Sequence, residues 1–329
     1  MNSDSLIWSI YGRHLQWVAT QAEAASNPRV VGERLGIAAA EAGFDRVDLT
    51  VRPGGLIEPT LVKTNLPAML TGVRATGMIC DRITTSITPP VEASDDEWWQ
   101  RQYVDPIFRT AGECEIAWCR IGTTSFEPKG YGDEFALQLD GMRVNSARIA
   151  ELAHHSGLTA IYHTWNRPGR LDISTAIWDI VEVFRDLGPS IGLNFDIGHI
   201  VADGPQSLWR INMRRAMPWI RALSLTDVKW VRDAEGRWGV VYPPAGEGGM
   251  VPWREFFALA LDGGFNGQAS LQLEFNTQGA LGKPLNLNKT FWADDPEFLS
   301  QNATRAHLLA LFAQQLAFLK EQARHAGWK

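Results

Sequence analysis

The chain has 329 residues, enough for one large core, and 45% of them are hydrophobic and 21% charged, which is ordinary globular usage. The net charge of -6 argues against binding to nucleic acid phosphates. The three cysteines form no C-x-x-C pair, and no apolar stretch is long enough to span a membrane. We therefore expect a single cytoplasmic domain covering residues 1–329.

Strands and helices alternate along the whole chain. Apolar or β-branched runs predict strands at residues 6–10, 46–51, 78–80, 115–121, 158–163, 191–199, 222–226 and 269–274. Amphipathic patterns predict helices at residues 28–42, 61–75, 94–110, 133–155, 173–187, 207–220, 253–261 and 301–324. Such alternation predicts an α/β fold, a closed (β/α)8 TIM barrel.

An open, doubly wound sheet is the alternative architecture, but the first turn between strand and helix carries no G-x-G-x-x-G motif. Two loops exceed the usual length for such a barrel. Residues 228–251, after strand seven, are predicted to contain a hairpin, and residues 276–299, after strand eight, to have little regular structure. We expect these extended loops to form a lid or a contact with another subunit.

Polar side chains stand where the predicted strands end. In a parallel barrel these ends converge, so residues far apart in sequence share one pocket. An imidazole with two carboxylates suits a divalent ion such as Mn²⁺, Co²⁺ or Zn²⁺. His199 taken alone is equally typical of a core histidine, whereas Glu274 after an apolar run needs a partner if it is buried. The strand-end candidates are Arg52, Arg120, His163, Asp196, His199, residues 224–229 and Glu274.

Several segments, read in order, resemble one known family. They are GFDRVDLTVRPGG at 43–55, NFDIGH at 194–199, DVKW at 227–230, GEGGMVPW at 246–253 and LEF at 273–275. This ordered set is similar to the sugar phosphate isomerase/epimerase family of xylose-isomerase-like barrels, over about residues 6–276. The resemblance implies a TIM barrel with a divalent ion held by Glu, Asp, His and Glu at the ends of strands five to eight.

The resemblance transfers position by position. Asp196 and Glu274 match the second and fourth ligands, and His199 matches a histidine that contacts substrate. His163 stands where the first glutamate is usual, and Ser224 where the histidine is usual. The implied ligands are therefore His163, Asp196 and Glu274, with Mn²⁺ as the expected ion and Co²⁺, Mg²⁺ or Zn²⁺ as alternatives. Recruitment of Asp227, or a site without any ion, stays open.

The resemblance implies a metal-assisted isomerase or lyase that enolises a keto-sugar, cyclitol or sugar glycoside beside its carbonyl. Epimerases of this superfamily use two glutamates on opposite faces of the substrate, so His163 in place of the first disfavours plain epimerisation. The alternative is a metal-free barrel that serves as a non-catalytic sugar-binding protein or partner subunit. We expect a small sugar or glycoside ligand and homo- or hetero-oligomers. The candidate catalytic residues are His163, His199 and Glu274, and the candidate substrate-binding residues are Arg52, Arg120, Trp165, Lys229 and Trp230.

Overall fold

The computed structural model describes residues 5–90, 96–122, 132–165, 176–203, 208–278, 284–287, 289–300 and 304–329. Its strands are β1 (Ile7–Tyr11), β2 (Arg46–Val51), β3 (Arg82–Thr85), β4 (Trp118–Gly122), β5 (Thr159–His163), β6 (Ile191–Asp196), β7 (Ile220–Leu225), β8 (Lys229–Arg232), β9 (Trp238–Val241), β10 (Gln268–Leu271), β11 (Asn276–Gln278) and β12 (Pro284–Asn286).

Eight of these strands close into a barrel, in the order β1-β10-β7-β6-β5-β4-β3-β2. All neighbouring barrel strands are parallel. The predicted TIM barrel is therefore confirmed, and the open sheet is wrong. Because the strands are parallel, their carboxyl ends gather at one end of the barrel, which we call the mouth.

The helices form the outer layer. Those of the described residues are α1 (Gln21–Ser26), α2 (Pro28–Glu41), α3 (Val62–Ala75), α4 (Asp96–Arg101), α5 (Val104–Glu113), α6 (Asp133–His155), α7 (Ile177–Phe184), α8 (Ile197–Asp203), α9 (Leu208–Ala216), α10 (Trp253–Asp262), α11 (Pro296–Ser300) and α12 (Arg305–His325). Apolar side chains such as Leu35, Phe108, Phe184, Phe256 and Phe312 are fully buried in this layer. Burial of this apolar surface is the main force that holds helices onto the sheet.

Several predicted boundaries differ from the structure. The third strand was expected to start at residues 78–80 but begins at Arg82 and ends at Thr85, because a strand of polar and β-branched residues lacks the apolar run used to find strands. One expected helix at 94–110 is two helices that meet at Tyr103, whose φ of 52° ends regular helix geometry. The starts predicted at residues 94, 173, 207 and 301 lie outside the described residues.

The interior of the barrel contains several fully buried polar and charged side chains. Asp48, Arg82, Asn194, Ser224 and Ser270 are all fully buried there. Burial of such groups is costly unless they bond to each other. The Asp48 carboxylate and the Arg82 guanidinium form an ion pair, and Ser270 Oγ donates to Asp48 Oδ2 at 3.3 Å. The floor below the mouth is thus a fixed hydrogen-bonded layer.

The two long loops after barrel strands seven and eight both contain a pair of antiparallel strands. The hairpin predicted in residues 228–251 is confirmed, because β8 and β9 pair antiparallel. Residues 276–299 were expected to have little regular structure, but β11 and β12 also pair antiparallel, and α11 follows. A search of the described residues finds no helix whose length and apolar content would let it cross a membrane.

Candidate active site

The carboxyl ends of β5 and β6 bring three predicted site residues together. His163 ends β5, Asp196 ends β6, and His199 lies in the first turn of α8. All three side chains are buried. Nε2 of each histidine lies 3.9 Å from Asp196 Oδ2, and one potential ligand atom of each residue is within 4.8 Å of the other two.

The start of α8 and the end of β7 fix the Asp196 carboxylate. Its Oδ1 accepts hydrogen bonds from the backbone N–H groups of Gly198 at 3.0 Å and His199 at 3.4 Å. Its Oδ2 accepts from the Thr226 hydroxyl at 3.1 Å. Gly198 is required here, because a Cβ at this position would lie 2.4 Å from the Thr226 carbonyl oxygen. A helix start favours a negative charge, so the carboxylate is well placed.

Glu274 approaches His199 from the end of β10, which is separated from β6 by β7 alone. The strand that precedes it, β10, ends at Leu271, which is earlier than predicted. The backbone N–H of Leu273 donates to Nε2 of His14 at 3.0 Å, and this bond holds the segment that follows the strand. Oε2 of Glu274 lies 3.7 Å from Nε2 of His199. His199 therefore stands between two carboxylates.

Aromatic side chains enclose His199. The hydroxyl of Tyr242, just after β9, lies 3.2 Å from His199 Nδ1. The ring of Trp165 stands edge-on at 6.3 Å between centroids, and the ring of His163 at 5.9 Å. Trp165 remains 39% exposed, so it offers an accessible aromatic face beside the cluster.

Burial and charge shift the pKa values of all four residues. Burial raises the pKa of Asp196 well above its usual value, and the charge of Glu274 adds to this shift. Burial also raises the pKa of Glu274, although Arg13 and Arg120 oppose it. Burial, followed by Arg120, lowers the pKa of His163 well below its usual value and that of His199 to about 3. Both imidazoles are therefore neutral near pH 7, and they lie beside the carboxyl groups of Asp196 and Glu274.

Comparison with known proteins identifies the family. Residues 37–301 match the xylose isomerase-like TIM barrel family. The chain belongs to this family. The match confirms the resemblance inferred from the sequence motifs. None of the curated proteins compared matches the chain.

Solved structures of xylose isomerase-like barrels share the fold at low sequence identity. D-psicose 3-epimerase from Clostridium cellulolyticum H10, solved with D-tagatose, is 14% identical, with 97% of this chain and 99% of that chain aligned and a TM-score of 0.63. A xylose isomerase-like TIM barrel protein from Mycobacterium smegmatis, in complex with magnesium, is 16% identical, with 95% and 97% aligned and a TM-score of 0.60. The 3-keto-D-glucoside 4-epimerase of E. coli is 13% identical, with 88% and 94% aligned and a TM-score of 0.56.

The donor set of this xylose isomerase-like barrel fits a divalent ion. One potential ligand atom of each of His163, Asp196 and His199 lies within 4.8 Å of the other two, and His199 Nε2 lies 3.9 Å from Asp196 Oδ2 and 3.7 Å from Glu274 Oε2. These separations are compatible with His199 sharing one ion with either carboxylate. Two acids with raised pKa values are unfavourable together in a buried site, and a cation would compensate both. Carboxylate and imidazole ligands together suit Mn²⁺, Co²⁺ or Zn²⁺.

Ser224 does not supply the missing third ligand. Its hydroxyl oxygen accepts a hydrogen bond from Asn194 Nδ2 at 2.7 Å. Thr226, just after β7, donates the hydrogen bond from this part of the chain to Asp196. Ser224 is therefore part of the hydrogen-bonded floor of the site.

The structure also contradicts recruitment of Asp227 as a ligand. Its Oδ1 accepts the backbone N–H groups of Val228 at 2.8 Å and Val251 at 3.2 Å. Its Oδ2 accepts the N–H of Gly246 and the indole N–H of Trp253, each at 3.1 Å. These donors engage both oxygens, so Asp227 ties the long loop to the barrel.

The predicted substrate-binding residues divide into two groups. Arg120 lies over the Tyr11 ring at 5.1 Å, and its charge acts on Asp196 and Glu274. Arg52 donates from Nη2 to Thr290 Oγ1 at 3.3 Å. Lys229 and Trp230 instead begin the hairpin, and within the part of the chain that the structure describes no hydrogen bond or ion pair joins them to the cluster.

Sequence reasoning missed several residues of the site. Asn194 faces the interior from β6, two residues before Asp196, and the two-residue period of strands could have identified it. Thr226 lay within the strand-end candidates at residues 224–229, but its contact with Asp196 was not predicted. Tyr242 and Arg13 had no such signal, because each comes from a loop or a short helix whose direction the local pattern does not define.

Proposed function

We propose that this chain is a divalent-metal-assisted isomerase or lyase that removes a proton beside the carbonyl of a keto-sugar, cyclitol or sugar glycoside. The observation that carries the proposal is the buried cluster of His163, Asp196, His199 and Glu274 at the barrel mouth. Membership in the xylose isomerase-like family supports it. Proteins of similar fold include D-psicose and L-ribulose 3-epimerases, which act on keto-sugars.

Asp196, His199 and Glu274 would hold the ion, with Mn²⁺ as the expected metal and Co²⁺, Mg²⁺ or Zn²⁺ as alternatives. A bound divalent ion would supply Lewis-acid polarisation of the substrate carbonyl. The sequence predicted His163 as the imidazole ligand and His199 as a substrate contact, and this proposal exchanges the two roles. Tyr242 and Thr226 orient the ligands through His199 Nδ1 and Asp196 Oδ2.

Glu274 is the proposed base. Its side chain is 14% exposed, so substrate reaches it from the mouth, and a carboxylate there can serve as a general base. Its carboxylate takes the proton from the carbon beside the carbonyl, and the electron pair moves to the carbonyl oxygen. In isomerisation, the protonated Glu274 returns the proton to the former carbonyl carbon, while the proton of the neighbouring hydroxyl moves to the former carbonyl oxygen and a new carbonyl forms. In elimination, the enolate electrons re-form the carbonyl and expel the oxygen on the next carbon, and Glu274 gives its proton to that departing oxygen.

Three arginines support a substrate with a carboxylate or phosphate. The charges of Arg13, Arg52 and Arg120 all act on His14 at the mouth. Arg120 Nη1 and Arg52 Nε are buried and have no hydrogen-bond partner in the described part of the chain. Arginine donors fit planar anions well. Trp165 would stack on the apolar face of the sugar ring.

Deuterium exchange tests the proposal without knowledge of the product. The purified protein is incubated in D2O with Mn²⁺ and a panel of keto-hexoses, their phosphates and keto-sugar acids. We expect deuterium at the carbon beside the carbonyl, with faster exchange for the anionic sugars. Chelation and Glu274→Gln should each abolish exchange, whereas the exposed control Glu134→Gln should not change it.

Two results would overturn the proposal. One is an absence of exchange for every sugar in the presence of Mn²⁺. The other is exchange that persists in Glu274→Gln. If sugars raise the melting temperature but no exchange occurs, the non-catalytic sugar-binding alternative replaces the enzyme.

A further inference from the structure

The amide of Asn194 connects the two positions at which this chain departs from the family pattern. Asn194 is fully buried on β6, next to a shift in its pairing with β7. Its Nδ2 lies 2.7 Å from His163 Nδ1 and 2.7 Å from Ser224 Oγ. The histidine and the serine that replace the usual ligands are therefore bonded to the same side chain.

Arg82 determines which way this amide points. Its Nη1 lies 3.3 Å from Asn194 Oδ1. A guanidinium only donates hydrogen bonds, so the amide atom that faces it must be the oxygen. If the amide were reversed, its N–H groups would face the N–H groups of the guanidinium. The nitrogen of the Asn194 amide therefore faces His163.

Asp48 holds Arg82 in place. Arg82 Nε donates to Asp48 Oδ2 at 2.9 Å, and Nη2 donates to the same oxygen. Gln268 and Ser270 donate to the same carboxylate at 3.4 and 3.3 Å. Both ions are fully buried, so loss of this pairing would leave a charge without a partner. The chain of contacts from Asp48 to Asn194 thus has one stable arrangement.

The amide N–H in turn fixes the tautomer of His163. A ring nitrogen that accepts a hydrogen bond carries no proton, so the proton of the neutral ring is on Nε2. This N–H points to the side of Asp196, whose Oδ2 is 3.9 Å away. A protonated nitrogen has no lone pair for a metal ion.

His199 differs from His163 in the hydrogen bond that its Nδ1 makes. Its Nδ1 lies 3.2 Å from the Tyr242 hydroxyl, which can accept a hydrogen bond from Nδ1–H. The lone pair of Nε2 then faces Asp196 at 3.9 Å and Glu274 at 3.7 Å. Metal-bound histidines commonly donate their second N–H to an oxygen in this way.

We propose that Asp48, Arg82 and Asn194 fix His163 as an Nε2–H donor, so that His163 gives a hydrogen bond to substrate oxygen while Asp196, His199 and Glu274 bind the ion. This inference rests on the proposed function for the ion, but the tautomer of His163 does not depend on an ion. Ser224 completes the arrangement by accepting the second N–H of Asn194. His163 and Ser224, the two departures from the family pattern, are thus joined in one hydrogen-bond network through Asn194.

Nuclear magnetic resonance tests the tautomer directly. Two-dimensional ¹H–¹⁵N spectra of the histidine-labelled, metal-free protein at pH 7 distinguish protonated from bare ring nitrogens. The chain has seven histidines, and a spectrum of His163→Gln assigns the signal of interest. We expect Nε2–H and a bare Nδ1 for His163. An Nδ1–H tautomer overturns the inference, whether or not the protein is an enzyme.

Titration with Zn²⁺ tests the ligand assignment by calorimetry. His163→Ala should keep the affinity within about threefold, since a hydrogen-bond donor is lost but no ligand. His199→Ala should weaken it by at least about 100-fold, beyond the usual effect of residues that only orient a ligand. The exposed His154→Ala is the matched control and should bind as the wild type does. Equal losses in His163→Ala and His199→Ala overturn the assignment.

Asn194→Asp should reverse the tautomer. A carboxylate accepts Nδ1–H, which leaves the Nε2 lone pair free to join the ion, so the Zn²⁺ affinity should rise by about tenfold. Unchanged ring-nitrogen signals in a folded Asn194→Asp variant would contradict the relay. If that variant does not fold, the wild-type spectrum still decides the tautomer. If wild type binds no ion, the metal in the proposed function fails, while the spectrum continues to test His163.

Discussion

Asp196 ends β6 and Asp227 lies just after the neighbouring strand β7, and both are buried, yet their hydrogen bonding differs. Asp227 accepts two hydrogen bonds on each oxygen, from backbone groups and from one indole, within the described residues. Asp196 accepts backbone bonds on Oδ1 only, and its Oδ2 has one hydroxyl and two imidazoles nearby. The number of donors, and not burial, separates the structural carboxylate from the one at the candidate site.

The strongest test of this comparison removes Asp227. Asp227→Ala leaves its buried donors without an acceptor and should lower the free energy of unfolding by about 3 to 5 kcal/mol. Unfolding in urea measures this change. Asp262→Ala, an exposed aspartate at the end of α10, is the control and should change stability by less than about 0.5 kcal/mol. A stable but inactive Asp227→Ala variant would place Asp227 in the site instead.

Asp196 should respond in the opposite way. Asp196→Asn removes a buried carboxyl group whose pKa is raised by burial. We therefore expect the free energy of unfolding of the metal-free protein to stay within about 1 kcal/mol of wild type. Ion affinity should fall by about 100-fold or more, because a negative ligand is lost. Thermal unfolding with chelator and calorimetric titration with Mn²⁺ measure the two effects. A large loss of stability with unchanged ion affinity would make Asp196 a second structural aspartate.

Thr226 links the two aspartates, because it precedes Asp227 in the chain and its hydroxyl donates a hydrogen bond to Asp196. Thr226→Val keeps the shape but removes the hydroxyl that donates to Asp196 Oδ2. We expect about a tenfold loss of ion affinity. Thr226→Ser retains the hydroxyl and should bind like wild type. Equal affinities in the valine and serine variants would show that this hydrogen bond does not orient the ligand.

The smallest expected effect is at an exposed carboxylate, Glu23. The backbone N–H of Thr20 and then Arg34 lower the pKa of Glu23, the reverse of the shift at Asp196. An acid with a depressed folded-state pKa stabilises the fold above its unfolded pKa, and the contribution disappears as pH falls through the folded value. The melting temperature of Glu23→Gln should therefore be slightly below wild type at pH 7. A difference that persists at pH 2 would contradict this.

The sequence predicted the barrel well because buried parallel strands are short apolar runs, and eight of them recur with helices between. It failed to locate the start of β3, because the first residue of that strand is Arg82 and a fully buried charged residue in a barrel strand is unusual. The same residue proved to control the floor of the site. Its partner Asp48 also lies within a predicted strand, where the pattern showed only a polar interruption.

The sequence by itself determined that Asp196, His199 and Glu274 stand near strand ends, and hence at one end of a parallel barrel. Only the tertiary structure decided that Asp227 serves a loop, that Ser224 and His163 share the Asn194 amide, and that Tyr242 reaches His199. The reason is physical. Strand order and period follow from local apolar patterning, whereas the choice of hydrogen-bond partner depends on distances between segments far apart in the chain.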